Sequence, residues 1–477
     1  MVFRLVGTLS LLLGLLMLIP ALISASYGES DVPAFLLSMC ISVCIGLVLR
    51  YLARDGGHVG PKECFAVVTF GWVTAAALGA LPSLFHGTFA TFTDAFFEAM
   101  SGLTTTGASV LTNIEAQPHG ILFWRSFLHW LGGMGIIVLF IAVLPSLGIG
   151  ATKLFRAEVP GPTPERLEPR IRDTAKKLWA IYVGISLLQT VLLHIGGMTL
   201  FDALTHTFGT VATGGFSTRT ASVGAYNSVF IEIVMIVFMF IAGCNFALHF
   251  RMLQGKRDCL FKDAEFKTYL LLIAAATLVV TLNLRAHVFP EMSSALRGAA
   301  FQVTSIMTTT GFATADFDAW PSLSKTILLV LMFVGGCTGS TGGAIKVSRI
   351  MIAFKHGYRE ALSFIHPRAV TVTKVNGSVV SPNVLNSVLG FLFLYSLIFV
   401  IGTLFMSSLG LDIISAGSSV AATLGNIGPG LGLVGPTLSY ATIPISGKWV
   451  LSLCMLLGRL EIFSVLVLFL PEFWRRH

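Results

Sequence analysis

The chain has 477 residues, of which 55% are hydrophobic and only 11% are charged, and its net charge is +8. Soluble domains carry about 25% charged residues, so this composition leaves too few polar side chains to cover a water-soluble globule. It also excludes collagen, disordered tails, small disulfide-linked scaffolds and nucleic-acid-binding modules. The sequence therefore predicts an all-α protein that crosses a membrane several times.

Ten apolar stretches follow one another along the chain. Each is about long enough to cross roughly 30 Å of hydrocarbon as a helix. They lie at residues 5–25, 34–53, 65–85, 121–147, 178–198, 228–250, 268–289, 324–354, 385–410 and 448–470. The first resembles the apolar core of a secretion signal, but a second stretch follows closely and no convincing cleavage site is present. We interpret it as a retained membrane span.

Lysine and arginine are distributed unevenly between the two sides of the predicted membrane. With a cytoplasmic N-terminus, the cytoplasmic connections and termini carry 24 of the 31 Lys and Arg residues, and the opposite side carries five. Basic residues concentrate on the cytoplasmic side of membrane proteins, so both termini are predicted to be cytoplasmic. We interpret the positive charge as a signal of topology and of contact with membrane lipid, and we expect no nucleic-acid partner.

Four segments of similar sequence occur between consecutive spans on the opposite side. Four glycines hold equivalent positions in these copies, namely Gly107, Gly215, Gly311 and Gly428. This self-similarity indicates four units, each with a span, a short apolar segment, a glycine-containing turn and another span. We place the units at residues 61–160, 161–257, 258–375 and 376–477, after two additional N-terminal transmembrane helices in residues 1–60.

Each short apolar segment has about 10 to 14 residues before its turn, which is too few to cross the bilayer. Non-helical backbone at membrane depth is tolerated only where protein buries it or where it lines a water-filled cavity. We therefore predict four re-entrant half-helices whose turns meet around a central pore and form a selectivity filter. Turns 1 to 4 are defined as residues 104–107, 212–215, 308–311 and 425–428.

The turns have the sequences TTTG, ATGG, TTTG and GNIG, and none of them contains a charged side chain. Backbone carbonyl oxygens can replace the water shell of a dehydrated cation, and glycine permits the positive φ that a tight turn requires. The half-helices would point the negative ends of their dipoles at the ion path. This pattern favours a large monovalent cation over divalent cations, whose channels use acidic rings.

In context the turns read TTTGAS, VATGGFS, TTTGFA and GNIGPG. They resemble the four pore loops of the TrkH/TrkG/KtrB superfamily of potassium transporters over residues 62–472, and the two extra N-terminal spans make the chain more similar to TrkH than to KtrB. The resemblance implies potassium uptake through a gated, channel-like pore in the bacterial inner membrane. It also implies carbonyl ligands for K⁺ from Thr105, Thr106, Thr213, Gly214, Thr309, Thr310, Asn426 and Ile427, with rings completed by Gly107, Gly215, Gly311 and Gly428.

A glycine cluster lies inside the apolar stretch 324–354. The segment GGCTGSTGG holds five glycines in nine residues, namely Gly335, Gly336, Gly339, Gly342 and Gly343. Each glycine costs about 1 kcal/mol of helix stability relative to alanine, so we predict two half-helices joined by a flexible loop under the filter. Close helix packing through small residues is the alternative interpretation. The resemblance implies a loop here that obstructs the pore, which makes this segment the predicted gate.

Arg459 follows Gly458 inside the last apolar stretch. An arginine at this depth costs at least about 2.5 kcal/mol unless it faces water or an anion. An ion pair with Glu461 is the structural alternative, although residues i and i+2 do not share a helix face. Similar transporters carry an arginine at this place, so we expect Arg459 to face the pathway and repel the cation. The four units also have glycines predicted near mid-span, namely Gly133, Gly243, Gly336 and Gly458.

Other polar residues at membrane depth receive simpler interpretations. We expect Arg125 to extend along the outer leaflet into water. Asp94 and Asp202 are expected to cap the N-termini of two half-helices. His206 is interpreted as a hydrogen-bonded core histidine rather than a proton carrier.

We expect no enzyme activity and no cofactor bound by this chain, because the sequence shows no clustered catalytic side chains and no phosphate-binding glycine loop. The expected ligand is the permeating K⁺. The resemblance implies a homodimer above a cytosolic ring of TrkA-like, NAD- or ATP-binding subunits, with residues 151–177 and 346–374 as docking segments. A symporter that couples K⁺ to H⁺ or Na⁺ is the alternative function, and it would need a titratable or second cation site.

Overall fold

The structure is a computed structural model that describes residues 2–53, 61–135, 171–255, 258–366 and 372–475. Within these ranges the chain is almost entirely helical, and its strands form one short hairpin of Lys374–Val375 with Ser378–Val379. The predicted all-α, polytopic fold is confirmed. Most of the predicted docking segment 151–177 lies outside the described residues, as do residues 136–147 of the fourth apolar stretch.

In chain order the α-helices are Val2–Leu16, Leu18–Tyr27, Val32–Leu52, Pro61–His86, Phe92–Leu103, His119–Gly133, Ile171–Ile195, Leu200–Val211, Val229–Ala242, Phe246–Leu253, Cys259–Lys262, Ala264–His287, Met292–Met307, Ser322–Leu331, Val347–Ile365, Pro382–Ser408, Ile413–Leu424, Ile445–Arg459, Phe463–Leu466 and Pro471–Trp474. Short 3₁₀ helices lie at Ser222–Tyr226, Phe317–Ala319, Gly432–Val434, Tyr440–Thr442 and Val467–Phe469.

Six helical segments of the described chain are long and apolar enough to cross a membrane without a sharp bend. These segments are Val2–Tyr27, Val32–Leu52, Glu63–His86, Ala175–Ile195, Ala264–His287 and Pro382–Ser408. The N-terminal pair packs closely through small residues, because a Cβ atom added at Gly7 would lie 2.8 Å from the carbonyl oxygen of Gly46.

Two of the predicted spans, at residues 228–250 and 448–470, are sharply bent helix pairs in the structure. The first pair, Val229–Ala242 with Phe246–Leu253, bends by 99°. Asn245 starts its second helix by accepting the N–H of Ala247 at 2.8 Å. The second pair, Ile445–Arg459 with Phe463–Phe469, bends by 112°. Its break contains two residues with positive φ, Glu461 and Ile462.

A short helix precedes each of the four turns. These helices have 12, 12, 16 and 12 residues and run Phe92–Leu103, Leu200–Val211, Met292–Met307 and Ile413–Leu424. At about 1.5 Å per residue they reach about 18 to 24 Å, less than the thickness of the hydrocarbon core. The prediction of four half-helices is confirmed, although the third is longer than expected.

The N-caps of these short helices differ from the prediction. Thr91 caps the first helix and accepts the N–H of Asp94 at 3.2 Å, and Thr199 caps the second and accepts the N–H of Asp202 at 3.0 Å. The two aspartates therefore lie three residues inside their helices, as in the Thr-x-x-acid capping pattern. Asp412 is the N-cap of the fourth helix, and its carboxylate accepts two backbone N–H groups at 3.1 Å.

Candidate ion pathway

The four turns close their short helices with the same pair of backbone hydrogen bonds. The residue before each turn's last glycine donates its N–H to the carbonyl five residues earlier, at 2.9, 2.7, 2.8 and 2.8 Å in turns 1 to 4. The residue before that one donates to the carbonyl three residues earlier, at 3.1, 3.0, 3.0 and 3.2 Å. This is the common left-handed helix end, and its fourfold repetition gives the turns one backbone geometry.

The left-handed residue of each helix end is not glycine. Thr105, Thr213, Thr309 and Asn426 have φ of 54°, 56°, 60° and 53°. This conformation costs an L-residue about 1–2 kcal/mol and is usually left to glycine or asparagine. The sequence did not predict this strain, whereas the predicted positive φ of Gly107, Gly215, Gly311 and Gly428 is confirmed at 80°, 82°, 82° and 103°.

The glycine that ends each turn lies against a backbone oxygen of the following turn. A Cβ atom added at Gly107 would lie 2.0 Å from the carbonyl oxygen of Gly214 in turn 2. The same construction at Gly215 and Gly311 gives 2.1 and 2.0 Å to oxygens of turns 3 and 4, those of Thr310 and Ile427. At Gly428 it gives 2.7 Å to the oxygen of Thr106. Turn 4 thus returns to turn 1, and the four turns surround one axis.

A cavity of about 280 Å³ lies at one end of this ring. The four turn-ending glycines line it together with residues that follow the turns, among them Thr112, Arg219 and Tyr440. The hydroxyl of Tyr440 donates to the carbonyl oxygen of Gly428 at 2.8 Å and so fixes one glycine of the rim. The cavity lies on the side of the ring to which the turns lead.

Hydrogen bonds between threonine hydroxyls stabilise turns 1 and 3. The hydroxyls of Thr104 and Thr106 lie 2.8 Å apart, and those of Thr308 and Thr310 lie 2.7 Å apart. Turn 4 has no such pair, but the Asn426 amide donates to the Thr106 hydroxyl at 3.0 Å. Asn426, which stands where the other turns carry threonine, thus joins turn 4 to turn 1.

Arg125 does not extend into water as predicted, because only 3% of the residue is exposed. Its Nε donates to the Glu98 carboxylate at 2.8 Å, and its Nη2 donates to the Ser109 hydroxyl at 3.1 Å. Glu98 also accepts the N–H of Val110 at 2.9 Å. Ser109 and Val110 lie two and three residues after turn 1, so the buried ion pair fixes the chain that leaves this turn. The sequence does contain a signal for this ion pair, because Glu98 and Arg125 are an acid and a base in apolar segments of the same unit.

His206 lies where the sequence placed it, in the protein core. Its Nδ1 is 2.8 Å from the carbonyl oxygen of Asp202, and its Nε2 is 2.9 Å from the hydroxyl of Ser217. The residue is fully buried. Both ring nitrogens therefore have structural partners, as the prediction of a core histidine requires.

The glycine-rich segment interrupts its helix as predicted. Helix Ser322–Leu331 ends before it, and helix Val347–Ile365 begins after it. We define residues 332–346 as the central loop. Its Gly343 donates N–H to the Thr309 hydroxyl at 2.7 Å, and a Cβ atom at Gly343 would lie 2.4 Å from the carbonyl oxygen of Gly425. The loop thus lies against the first two residues of turns 3 and 4, on the side of the ring away from the cavity.

Hydrogen bonds fix the central loop to neighbouring elements. Oε1 of Glu265 accepts the N–H of Thr338 at 2.7 Å and the N–H of Ser348, just after the loop, at 2.9 Å. Cys337 donates its N–H to the carbonyl oxygen of Gly243 at 2.8 Å. Gly335 and Ile345 at the two ends are joined by a backbone bond of 2.9 Å. The loop is therefore a closed, anchored segment.

Arg459 connects the central loop to the first unit. Its Nη1 donates to the carbonyl oxygen of Thr341 at 2.8 Å, and its Nη2 donates to those of Gly132 and Gly133 at 2.5 and 3.1 Å. Glu461 contacts Arg349 of another helix. Arg459 therefore places its positive charge beside the loop.

Lys346, the first residue of the predicted docking segment 346–374, is a further charged residue of this region. It is 2% exposed, and its ammonium group donates to the carbonyl oxygen of Gly342 within the central loop. The signal for this role in the sequence is its position three residues after the glycine segment. Lys346 thus adds a second positive charge on the loop side of the ring.

The mid-span glycines allow helices to approach the bases of the turns. A Cβ atom at Gly458 would lie 2.0 Å from the carbonyl oxygen of Leu424, and one at Gly133 would lie 2.7 Å from the Cβ of Ala212. Helices end at or beside Gly133, Gly243 and Gly458, and Gly336 lies in the central loop. These glycines were predicted near the middle of their spans, but in the structure three of them lie at the ends of helices and the fourth lies in the central loop.

Comparisons with known proteins agree with this architecture. The family model TrkH, described as a cation transport protein, matches residues 31–476. The Trk system potassium uptake protein TrkH of Salmonella typhimurium is 42% identical over 477 residues, which cover 99% of this chain and 98% of that protein. The Trk system potassium uptake protein TrkG of Escherichia coli is 36% identical over 474 residues, which cover 98% and 97%.

A solved structure is similar over the same length. The crystal structure of the potassium transporter TrkH from Vibrio parahaemolyticus matches with a TM-score of 0.90 and 41% sequence identity, and the match covers 99% of each chain. The family match and the full-length relatives lead to one conclusion. The chain belongs to the TrkH family of cation transport proteins.

Proposed function

We propose that this protein conducts K⁺ across the bacterial inner membrane through the ring of four turns. The observation that carries the proposal is the closed cycle in which the glycine ending each turn lies against a carbonyl oxygen of the next. Such a cycle requires the turns to face one axis, where backbone oxygens can replace the water of an ion. The relatives are potassium uptake proteins by name, which supports K⁺ as the cation.

The proposed ligands are neutral backbone oxygens. No turn residue carries a charged side chain, and each turn ends a helix whose negative pole adds to the field at the axis. Neutral oxygens suit a monovalent ion with a weakly held water shell. The proposed ligands are the carbonyls of Thr105, Thr106, Thr213, Gly214, Thr309, Thr310, Asn426 and Ile427, with Gly107, Gly215, Gly311 and Gly428 completing the rings.

The central loop with Arg459 is the proposed gate. An ion that left the ring on the side away from the cavity would meet residues 340–343, which contact turns 3 and 4 and the short helix before turn 2. Glycines allow this segment to change conformation at little steric cost. The guanidinium of Arg459 would add electrostatic repulsion. The proposed gate residues are Gly335, Gly336, Gly339, Gly342, Gly343 and Arg459.

The proposal extends to assembly and orientation. We place both termini in the cytoplasm, because 24 of the 31 Lys and Arg residues then face that side. The words "Trk system" in the relatives' names support a transporter with further subunits. We therefore propose a homodimer that is regulated by a cytosolic TrkA-like, nucleotide-binding subunit. The four units are proposed to end near residues 160, 257, 375 and 477.

The test is the reversal potential of the full-length protein in planar lipid bilayers, with K⁺, Na⁺ and pH gradients varied one at a time. A gated pore predicts a reversal potential that follows the K⁺ gradient and does not move with a pH gradient. A shift produced by a Na⁺ or pH gradient at constant K⁺ would instead indicate the coupled symporter. A protein that gives neither K⁺ current nor K⁺ flux would overturn the proposal.

A further inference from the structure

Gly214 in turn 2 has no room for a side chain, although its backbone does not require glycine. Its φ lies outside the left-handed region, in contrast to the 82° of its neighbour Gly215. A Cβ atom at Gly214 would lie 2.5 Å from Cγ and 2.6 Å from Nδ1 of His129. The imidazole of His129, from another unit, therefore excludes a side chain at this position of the ring.

The other three turns carry side chains at the equivalent position, namely Thr106, Thr310 and Ile427. The hydroxyls of Thr106 and Thr310 bond to threonines of their own turns and hold those turns from behind. Turn 2 cannot form such a bond, because its first residue is Ala212 and its third is Gly214. Its support must come from a residue outside the turn.

His129 supplies this support through both ring nitrogens. Nδ1 lies 2.7 Å from the carbonyl oxygen of Gly102, in the short helix of unit 1, and Nε2 lies 3.3 Å from the N–H of Phe216, directly after turn 2. A carbonyl only accepts and a backbone N–H only donates, so the two bonds require a neutral imidazole with its proton on Nδ1. His129 is fully buried and joins the short helix of one unit to the turn of the next.

Phe216 contacts two side chains of helix His119–Gly133. Its ring centroid lies 4.2 Å from that of His129, and the guanidinium carbon of Arg125 lies 4.2 Å from the same ring. Arg125 is itself fixed by its ion pair with Glu98. Phe216 donates its N–H to His129 and packs against both side chains, so a change at His129 would be transmitted to the backbone that follows turn 2.

We propose that His129 is a positioning residue that sets the carbonyl of Gly214 in the ring and thereby the discrimination of K⁺ from Na⁺. This inference rests on the proposed function and adds to it a selectivity determinant outside the four turns. A carbonyl that moves by a fraction of an ångström changes its fit to ions of different radius. The effect of His129 should therefore appear in the permeability ratio rather than only in stability.

The first experiment measures the K⁺:Na⁺ permeability ratio of full-length His129→Ala from bi-ionic reversal potentials. Loss of the Phe216 bond is expected to lower the ratio by about 3-fold to 10-fold. His129→Gln, whose amide keeps an acceptor and a donor, is expected to recover part of the loss. Met239→Ala is the matched control, because Met239 is also fully buried and lies four residues before Gly243, as His129 lies four residues before Gly133.

The second experiment uses the steric conflict between a side chain at position 214 and the ring of His129. Gly214→Ala alone is expected to lose selectivity, and the double variant His129→Ala with Gly214→Ala is expected to be more selective than Gly214→Ala. A ratio unchanged in His129→Ala, or a double variant no better than Gly214→Ala, would overturn the assignment. A wild-type protein without K⁺ preference would overturn the proposed function as well, so the two failures are distinguishable.

Discussion

The Nη1 group of Arg459 donates to the carbonyl oxygen of Thr341 at 2.8 Å, and the hydroxyl of Thr341 donates to the carbonyl oxygen of Val211 at 3.0 Å. Val211 is the last residue of the second short helix. One arginine thus contacts the central loop at the residue where the loop contacts the base of a turn. The position of the loop and the position of this charge are therefore coupled.

Replacement of Arg459 by alanine should increase K⁺ flux. The change removes the positive charge beside the loop and its hydrogen bonds to Thr341 and Gly132. Hydrogen bonds to charged groups contribute about 1.5–3 kcal/mol each, so we expect at least a tenfold rise in ⁸⁶Rb⁺ uptake by proteoliposomes. Arg459→Lys keeps the charge and should give an intermediate flux. Unchanged or lower uptake by a folded Arg459→Ala protein would count against a barrier.

Glu265→Ala should also increase flux, because it releases the central loop at Thr338 and the start of the helix that follows the loop at Ser348. Its carboxylate accepts the N–H groups of Thr338 and Ser348. Glu265→Gln keeps one acceptor oxygen and should remain closer to the wild type. The measurement is single-channel open probability together with the K⁺:Na⁺ ratio. Release of a gate predicts a higher open probability at a constant ratio, and a changed ratio would indicate damage to the turns instead.

Gly107→Ala should abolish K⁺ flux. Its φ of 80° disfavours an L-residue, and the new methyl group would lie 2.0 Å from the carbonyl oxygen of Gly214. Gly184→Ala is the matched control, because a Cβ atom there meets nothing within 4 Å and helix Ile171–Ile195 accommodates alanine. Uptake is measured at equal protein density in proteoliposomes. Normal flux through Gly107→Ala would show that this contact does not belong to the ion path.

Glu98→Gln should destabilise the fold strongly, because it leaves the charge of Arg125 buried without its partner. Removal of one member of a buried ion pair costs about 3–5 kcal/mol, which thermal unfolding in detergent should detect. Asp258→Asn is the control: it breaks the exposed pair with Lys262, and exposed pairs contribute about 0–1 kcal/mol. Equal melting temperatures for the two variants would contradict a structural role for the Arg125 pair.

The sequence predicted those features that depend on composition and local pattern. Apolar length gave the spans, repetition located the four turns, and the density of glycine after Phe333 predicted the broken helix. Each of these signals lies within a short window, where the physics of bilayer thickness and helix propensity acts directly.

The sequence did not predict features that depend on which neighbour a residue meets. Arg125 finds Glu98 across two packed helices, so its burial could not be read from its own surroundings. The left-handed Thr105 results from the way its helix ends, against the intrinsic preference of threonine. The glycine at position 214 is explained only by the ring of His129, which lies 85 residues earlier in the chain.

The cyclic contact between turns has a consequence for how such a chain can vary. The four turns of the ring belong to one polypeptide, so each turn can acquire its own residues, as Gly214 and Asn426 illustrate. Each turn also rests on the next, which means that a change tolerated in one position must be matched by its neighbour. Divergence among the turns is therefore expected to occur as paired substitutions across their shared boundaries, rather than as independent drift.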